Sequence, residues 1–229
     1  MDNTYSMKII CQYLRLIFYN HVLTWNLVIL IMNYLAHAFL SFNKKDILTG
    51  NMISDFVKGK AKYTYPAGIQ NGIQLHRLID EFTDTHPVTA EAKNYFRPQY
   101  RLYSGAFVDV VYDHFLSIDT DQFTGYGNLD IFSQEVYQLM DKNVLLFPAR
   151  FLKMYGYMKS QNWLYNYQFK EGIQNSFNGL VYRAAYLNES AIAFEIFNKY
   201  YTELQNCYLE FFPQLLQFAT EKASYFTAV

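Results

Sequence analysis

The chain has 229 residues, of which 52% are hydrophobic and 17% charged, and its formal net charge is -1. This length suits one domain with a large core, and the composition excludes intrinsic disorder. The small net charge provides no global field to attract nucleic acid, so we expect no nucleic-acid partner.

The N-terminal residues 8–31 are strongly apolar, but Arg15 interrupts the run and no small-residue cleavage site of a signal peptide follows. A second methionine, Met32, begins a regularly patterned segment. We therefore expect a domain over residues 32–229, with its natural start at Met32, and an extension over residues 1–31 that is not native. A membrane anchor in this extension is the less favoured alternative.

Apolar residues after Met32 recur with a period near 3.6, which predicts helices and no strand. Asp46 and Ser104 are predicted helix caps, Gly59 and Pro98 are predicted stops, and Pro213 is a predicted kink. Residues 119–128 are predicted to form a loop. The fold class is therefore all-α, a single-domain helical bundle. The predicted helices cover residues 33–42, 46–57, 66–83, 89–96, 105–116, 130–146, 148–159, 169–186 and 190–225.

The cysteine pattern indicates the cellular compartment of the protein. Cys11 and Cys207 are isolated and form no CxxC motif, so neither a disulfide framework nor a thiolate metal site is implied. We therefore predict a reducing, cytoplasmic location. The 22 Tyr and 20 Phe are expected to fill the core rather than form a stacking surface.

Four predicted helices carry polar residues at i, i+4 spacing, which places both side chains of each pair on one face. A carboxylate on an apolar helix is costly unless it is paired or bound to a metal, and a divalent cation relieves repulsion among several carboxylates. His114 follows the last pair directly. The pairs are Asn33 with His37, Asn51 with Asp55, His76 with Asp80, and Asp109 with Asp113.

These faces predict one shared site for a divalent cation, for which Mn, Fe, Zn and Mg are candidates. The alternative for any one of these residues is a cap, an ion pair or a satisfied core group. Asp80 could pair with Arg77 or Arg101, Asp84 could face solvent, and His86 could serve a loop. The predicted metal ligands are Asp55, His76, Asp80 and Asp113.

Several segments resemble the acyl carrier protein phosphodiesterase family, in order along the chain from about Met32 onward. The resemblance implies an HD-hydrolase-like fold, a divalent metal (Mn²⁺ first, Mg²⁺ or Fe²⁺ next), and release of 4′-phosphopantetheine from holo-acyl carrier protein. The usual His-Asp doublet is replaced by His76-Arg77 and by a reversed Asp113-His114, so the HD ligand assignment does not transfer. The segments are NYLAHAFLS (33–41), GNMISDFVKG (50–59), GIQLHRLIDEFTD (72–84), VDVVYDHFLS (108–117) and QNSFNGLVYR (174–183).

The resemblance implies phosphodiester hydrolysis, in which an acid protonates the leaving serine oxygen. His37 or His114 is the expected acid, and Asp109 is a further catalytic candidate. The acidic carrier protein is expected to dock on Lys58, Lys60 and Lys62, with Arg97 and Arg101 as second candidates.

Two alternative functions remain open from the sequence. One is another metal-dependent phosphohydrolase that acts on a nucleotide or a small phosphoester. The other is a non-catalytic helical binding protein or a membrane-anchored adaptor, which would bind no metal. The sequence predicts no oligomeric state.

Overall fold

Helices make up the regular structure of the computed structural model, which describes residues 34–184 and 186–227. Within these ranges there is no strand, so the all-α prediction is confirmed. Short 3-10 helices cover Ser54–Phe56, Gly59–Thr64, Arg101–Tyr103, Thr124–Tyr126 and Val144–Leu146. The α-helices are α1 (Tyr34–Phe39), α2 (Lys45–Ile53), α3 (Ala67–Thr85), α4 (Pro87–Tyr100), α5 (Ser104–Ile118), α6 (Thr120–Phe123), α7 (Leu129–Asp141), α8 (Ala149–Ser160), α9 (Trp163–Asn166), α10 (Lys170–Arg183), α11 (Ala191–Lys199) and α12 (Tyr201–Thr227).

Helix α5 lies at the centre of the bundle. It is buried along nearly its whole length and packs against α1, α4, α10 and α12. A helix that is apolar on all sides is expected to be enclosed in this way. Any polar side chain on α5 must therefore find its partners inside the protein.

Helices α2 and α3 pack closely enough for only glycine to fit at two contact points. A Cβ atom on Gly50 would lie 2.1 Å from the backbone oxygen of Ile69, and one on Gly72 would lie 2.2 Å from that of Ile47. This close approach brings the residues that follow α2 beside the middle of α3. Asp55 and His76 become neighbours for this reason.

Aromatic side chains fill the core, as the composition predicts. Phe96, Phe107, Phe177 and Phe197 are fully buried and belong to one apolar cluster. The rings of Phe96 and Phe107 stack with centroids 5.7 Å apart, and Phe177 meets Phe107 edge-on at 5.2 Å. Such pairs stabilise the core beyond the area that they bury.

The predicted helix caps are wrong in two places. Lys44 occupies the N-cap position of α2, and Asp46 instead accepts a hydrogen bond from Asn143 Nδ2 at 3.0 Å. Ser104 donates its hydroxyl to the backbone oxygen of Arg101 at 2.6 Å rather than capping α5. His86 does cap a helix, because its Nδ1 accepts from the backbone N–H of Val88 at 3.3 Å.

Several predicted helix ends also differ. Helix α4 runs through Pro98 to Tyr100, since burial of Phe96 and Tyr100 outweighs the preference of proline to end a helix. Residues 190–225 form two helices separated at Tyr200, and Pro213 lies inside the second. The predicted loop 119–128 contains α6 and a 3-10 turn.

None of the helices in the described part of the chain is long and apolar enough to cross a membrane. Residues 1–31 and Asn33 lie outside the described residues, so the predicted extension and the Asn33–His37 pair stay predictions.

Candidate metal centre

Three side chains from two helices converge on one point. His37 lies on α1, His76 and Asp80 lie on α3, and their ligand atoms all fall within 4.8 Å of one another. Asp80 bridges the two imidazoles, with Oδ1 3.2 Å from His37 Nε2 and Oδ2 3.1 Å from His76 Nε2. The two rings stack with centroids 4.0 Å apart and planes inclined by 18°.

A fourth predicted ligand reaches the same cluster from the next element. Asp55 lies on the 3-10 helix after α2, and its Oδ1 is 3.3 Å from His76 Nε2. The predicted i, i+4 partner of Asp55 has a structural role. Asn51 Nδ2 donates to the backbone oxygen of His37 at 2.9 Å and so fixes the end of α1 beside α2.

Several buried polar atoms in this cluster have no hydrogen-bond partner. Among the described residues, Nδ1 of His37 and Nδ1 of His76 have none, and His37 Nε2 and Asp80 Oδ1 lie 3.2 Å apart as an ion pair without the alignment of a hydrogen bond. Unpaired buried polar atoms are rare and destabilising in folded proteins. Imidazole nitrogens and carboxylate oxygens that face one point form the donor set of a divalent transition-metal site. The residues therefore fit a divalent cation.

The charges of the cluster are strongly coupled. Burial alone would lower the pKa of His76, but Asp80 and Asp55 outweigh burial and raise the pKa to about 10. Burial lowers the pKa of His37, and the neighbouring His76 lowers it further. Burial alone would raise the pKa of Asp80, but the two histidines hold it well below its usual range. His76 thus carries the positive charge that a divalent cation would supply.

Asp109 on α5 lies near this cluster as a buried carboxyl group. Burial raises its pKa well above the usual range, and the negative charges of Asp80 and Asp84 raise it further. A raised pKa favours the protonated carboxyl, which is the form that general acid catalysis requires.

The geometry does not bring Asp113 into the cluster, although the sequence predicts it as a ligand. Its two oxygens accept backbone N–H groups at the start of α1, from Leu35 at 3.0 Å and from Ala36 at 2.8 Å. Burial raises the pKa of Asp113 to about 8, against the effect of these bonds and of a bond from Tyr167. Asp113 therefore joins α5 to α1.

His114 also faces away from the candidate centre. Its Nδ1 is 2.8 Å from the backbone oxygen of Tyr167, and its Nε2 is 2.9 Å from the hydroxyl of Tyr201. Burial lowers its pKa. With both ring nitrogens engaged, His114 holds no proton aimed at the cluster, and the expected acid role does not fit this position.

Comparison with known proteins identifies the family of the chain. A family model described as acyl carrier protein phosphodiesterase matches residues 32–215. The chain belongs to the acyl carrier protein phosphodiesterase family. A relative of that name from Klebsiella pneumoniae (strain 342) is 35% identical over 191 residues, which cover 83% of this chain and 99% of the relative. One from Yersinia pestis is 34% identical with the same coverage.

No solved structure matches the chain. The HD-hydrolase-like part of the fold prediction therefore stays a prediction, while membership of the acyl carrier protein phosphodiesterase family is established by sequence.

In this family member, three lysines follow Asp55 directly. Lys58 and Lys60 are exposed, and Lys62 is half-buried with Nζ 3.5 Å from Gln74 Oε1. Arg77 holds the segment by donating to the backbone oxygen of Val57 at 3.3 Å. Asp80 thus bonds neither predicted arginine partner, and the lysines form a positive surface next to the candidate centre.

The other polar residues weighed in the sequence have separate positions. Asp84 pairs with Lys93 at 2.7 Å. Arg97 donates to Asn94 Oδ1 at 3.0 Å and is exposed, as is Arg101 just beyond α4. Nothing among these contacts connects the two arginines to the cluster.

Sequence reasoning missed a cavity of about 360 Å³ beside α10. Its lining includes Trp163, Tyr167, Phe169, Asn175, Ser176 and Arg183. The one sequence signal was the segment QNSFNGLVYR, which ends in Arg183. The resemblance carried no role for that arginine.

Proposed function

We propose that this chain hydrolyses the phosphodiester that joins 4′-phosphopantetheine to the serine of holo-acyl carrier protein, and that it does so with a divalent cation. The observation that carries the proposal is the convergence of His37, His76 and Asp80, with buried donor atoms that lack partners. Membership of the family supports the choice of substrate.

The proposed ligands are His37, His76 and Asp80, with Asp55 completing the set. We propose Mn²⁺ as the cation, which the resemblance to the family favours and with which mixed imidazole and carboxylate donors are compatible. A bound divalent cation would stabilise charge on a phosphoryl oxygen and lower the pKa of a water.

Asp109 is the proposed acid. In the reaction, a water oxygen forms a bond to phosphorus and loses a proton, the bond from phosphorus to the serine oxygen breaks, and that oxygen takes a proton from Asp109. The proton that the water loses restores the Asp109 carboxyl group, so the reaction consumes one water and no acid. The raised pKa of Asp109 favours the protonated form, which can supply the proton that the serine oxygen takes. His37, whose pKa is lowered, is better suited to hold a cation than to donate a proton.

The carrier protein is proposed to dock on Lys58, Lys60 and Lys62. Support comes from their position directly after Asp55, since a positive surface attracts an acidic partner. We also propose a cytoplasmic location, in keeping with the free, buried thiol of Cys207. Cell fractionation tests the location, and recovery in the membrane fraction would contradict it.

One experiment tests the function. The chelated protein is incubated with holo-acyl carrier protein and Mn²⁺, Mg²⁺ or Fe²⁺, and the carrier is weighed by mass spectrometry. We expect loss of the phosphopantetheine arm, fastest with Mn²⁺, and none in chelator. If the protein hydrolyses nucleotides or small phosphoesters and does not act on holo-carrier, the alternative function of a different metal-dependent phosphohydrolase is favoured instead.

A further inference from the structure

Arg183, at the end of α10, is half-buried and has an unusual environment for an arginine. Its Nε and Nη2 atoms are both buried and have no hydrogen-bond partner. Among the described residues, no Asp or Glu forms an ion pair with it, although Glu171 lines the same cavity. A buried charge without a partner destabilises a protein. An arginine in this state therefore indicates a ligand that supplies the partner.

The two unpaired atoms define the chemistry of that ligand. Nε and Nη2 lie on one edge of the guanidinium, and together they match two oxygens of a phosphate or carboxylate. Gly179, one turn earlier on α10, makes room for the guanidinium: a Cβ atom there would lie 3.1 Å from Arg183 Nη1 and 3.5 Å from Nη2.

The cavity around Arg183 suits an elongated organic molecule. Its volume of about 360 Å³ lies within the range of about 300–1,000 Å³ typical of small-molecule sites. Trp163 and Phe169 give it apolar walls, while Asn175 and Ser176 add polar atoms. An anionic group at Arg183 joined to an amide-containing chain would match this mixture.

The same two helices, α1 and α5, connect the cavity with the candidate metal centre. Tyr34 lies on α1 three residues before His37, and its pKa, which is raised chiefly by burial, responds to the charges of both Asp55 and Arg183. On α5, Val110 lines the cavity, and the pKa of the adjacent Asp109 responds to the charge of Asp80. The cavity is therefore a candidate site for the group on which the cluster would act.

We propose that this cavity holds the 4′-phosphopantetheine arm, and that the side chain of Arg183 rotates to bring its unpaired Nε–Nη2 edge to oxygens of the phosphate. The inference rests on the proposed function for the identity of the ligand. Arg183 would then fix the phosphate on which the His37–His76–Asp80 cluster acts. This arrangement also gives a reason for an arginine that has no pairing side chain among the described residues.

The test uses the full chain and two probes, 4′-phosphopantetheine and pantetheine, which lacks the phosphate. Trp163 lines the cavity, so its fluorescence reports binding, and Trp163→Phe identifies the signal. We expect the phosphorylated probe to bind more tightly. Arg183→Gln should weaken its binding by about 10- to 100-fold and remove the preference. Arg183→Lys should keep only part of the affinity for the phosphorylated probe, because lysine cannot donate two parallel hydrogen bonds as the guanidinium does.

Two further variants separate binding from folding. Arg150→Gln changes an exposed arginine that does not line the cavity, and it should bind both probes like the wild type. Gly179→Ala should keep the helix and weaken binding of the phosphorylated probe less than Arg183→Gln, by pushing on the guanidinium. The melting temperature of Arg183→Gln without ligand should equal or exceed that of the wild type, since an unpaired buried charge is removed.

Equal affinity of the wild type and Arg183→Gln for 4′-phosphopantetheine would overturn the inference, as would a wild type that binds both probes equally. A lower melting temperature with unchanged affinity would show that Arg183 is structural, which also overturns it. Hydrolysis of holo-carrier by the wild type is measured in parallel. If the wild type does not hydrolyse holo-carrier but prefers the phosphorylated probe through Arg183, the proposed function is wrong and the inference about the cavity stands. If it hydrolyses holo-carrier but shows no such preference, only the inference about the cavity is wrong.

Discussion

Helices α3 and α5 each carry a His and an Asp among apolar neighbours, but the structure uses the two sets differently. On α3, His76 and Asp80 meet His37, and several of their buried polar atoms have no hydrogen-bond partner. On α5, Asp113 accepts two backbone N–H groups and both ring nitrogens of His114 are engaged. Satisfied buried groups stabilise the fold, while unsatisfied ones that converge indicate a ligand.

Replacing Asp80 should have the largest effect. Asp80→Asn removes the charge that bridges the two imidazoles. We expect turnover to fall more than ~100-fold and metal binding to be lost, because the cluster then lacks its central anionic donor. Metal analysis, turnover of holo-carrier and circular dichroism measure this together, and the helical signal should persist. A variant with wild-type activity and metal content would make Asp80 structural.

The matched substitution on α5 should affect stability instead. Asp113→Asn keeps one acceptor and leaves one backbone N–H of α1 unpaired. The expected loss in the free energy of unfolding is about 1–3 kcal/mol, with metal content unchanged. Urea denaturation measures the loss. If Asp113→Asn instead loses the metal at wild-type stability, Asp113 is a ligand after all and the contrast between the two helices fails.

The pH dependence of stability should sharpen the same contrast. The pKa of Asp113 is raised to about 8 in the folded protein, above its value near 4 in the unfolded chain. Between these values only the folded state binds the proton, so the contribution of Asp113 is fully present below pH 4 and is lost as pH rises through about 8. The loss is at most about 1.4 kcal/mol per pH unit.

Asp113→Asn lacks this proton, so the stability difference between the wild type and the variant should shrink from pH 5 to pH 8 and level off above. Denaturation curves at several pH values test this. A difference that stays constant between pH 5 and pH 8 would mean that the hydrogen bonds from Leu35 and Ala36 hold the carboxyl ionised throughout.

Helical periodicity predicted most of the fold and the faces that carry polar residues. Spacing along one helix placed His76 and Asp80 together, because i and i+4 always share a face. Spacing could not show which faces meet. The contact of Asp55 with His76 depends on the close glycine packing between α2 and α3. Asp113 accepts hydrogen bonds from backbone N–H groups that lie 77 and 78 residues away in sequence.

Helical periodicity also could not predict some local features. The helix break at Tyr200 interrupts a continuous apolar pattern. Asp46 accepts a hydrogen bond from Asn143, which is distant in sequence, and does not cap its own helix. Arg183 looks like an ordinary basic residue at a helix C-terminus, where it would favour the helix dipole. Only its buried position beside a cavity distinguishes it.

The smallest expected effect concerns the lysines beside the cluster, which lie outside both helices of the comparison. Changing Lys58, Lys60 and Lys62 together to Glu should raise the Michaelis constant for holo-carrier about 3- to 10-fold at low salt, while kcat stays within about twofold, because exposed charges act mainly on encounter. The effect should fade as salt rises, since the Debye length falls from about 10 Å at 0.1 M to 3 Å at 1 M.

The matched control reverses three exposed lysines on or beside other helices, Lys142, Lys153 and Lys199, and changes the net charge equally. If the control raises the Michaelis constant as much as the first variant, the total charge matters and not the surface beside Asp55. If neither variant changes it, the carrier docks elsewhere, and Arg97 and Arg101 become the next pair to reverse. A rise confined to the first variant places encounter beside the cluster, where the carrier serine must arrive for His37, His76 and Asp80 to act on its phosphodiester.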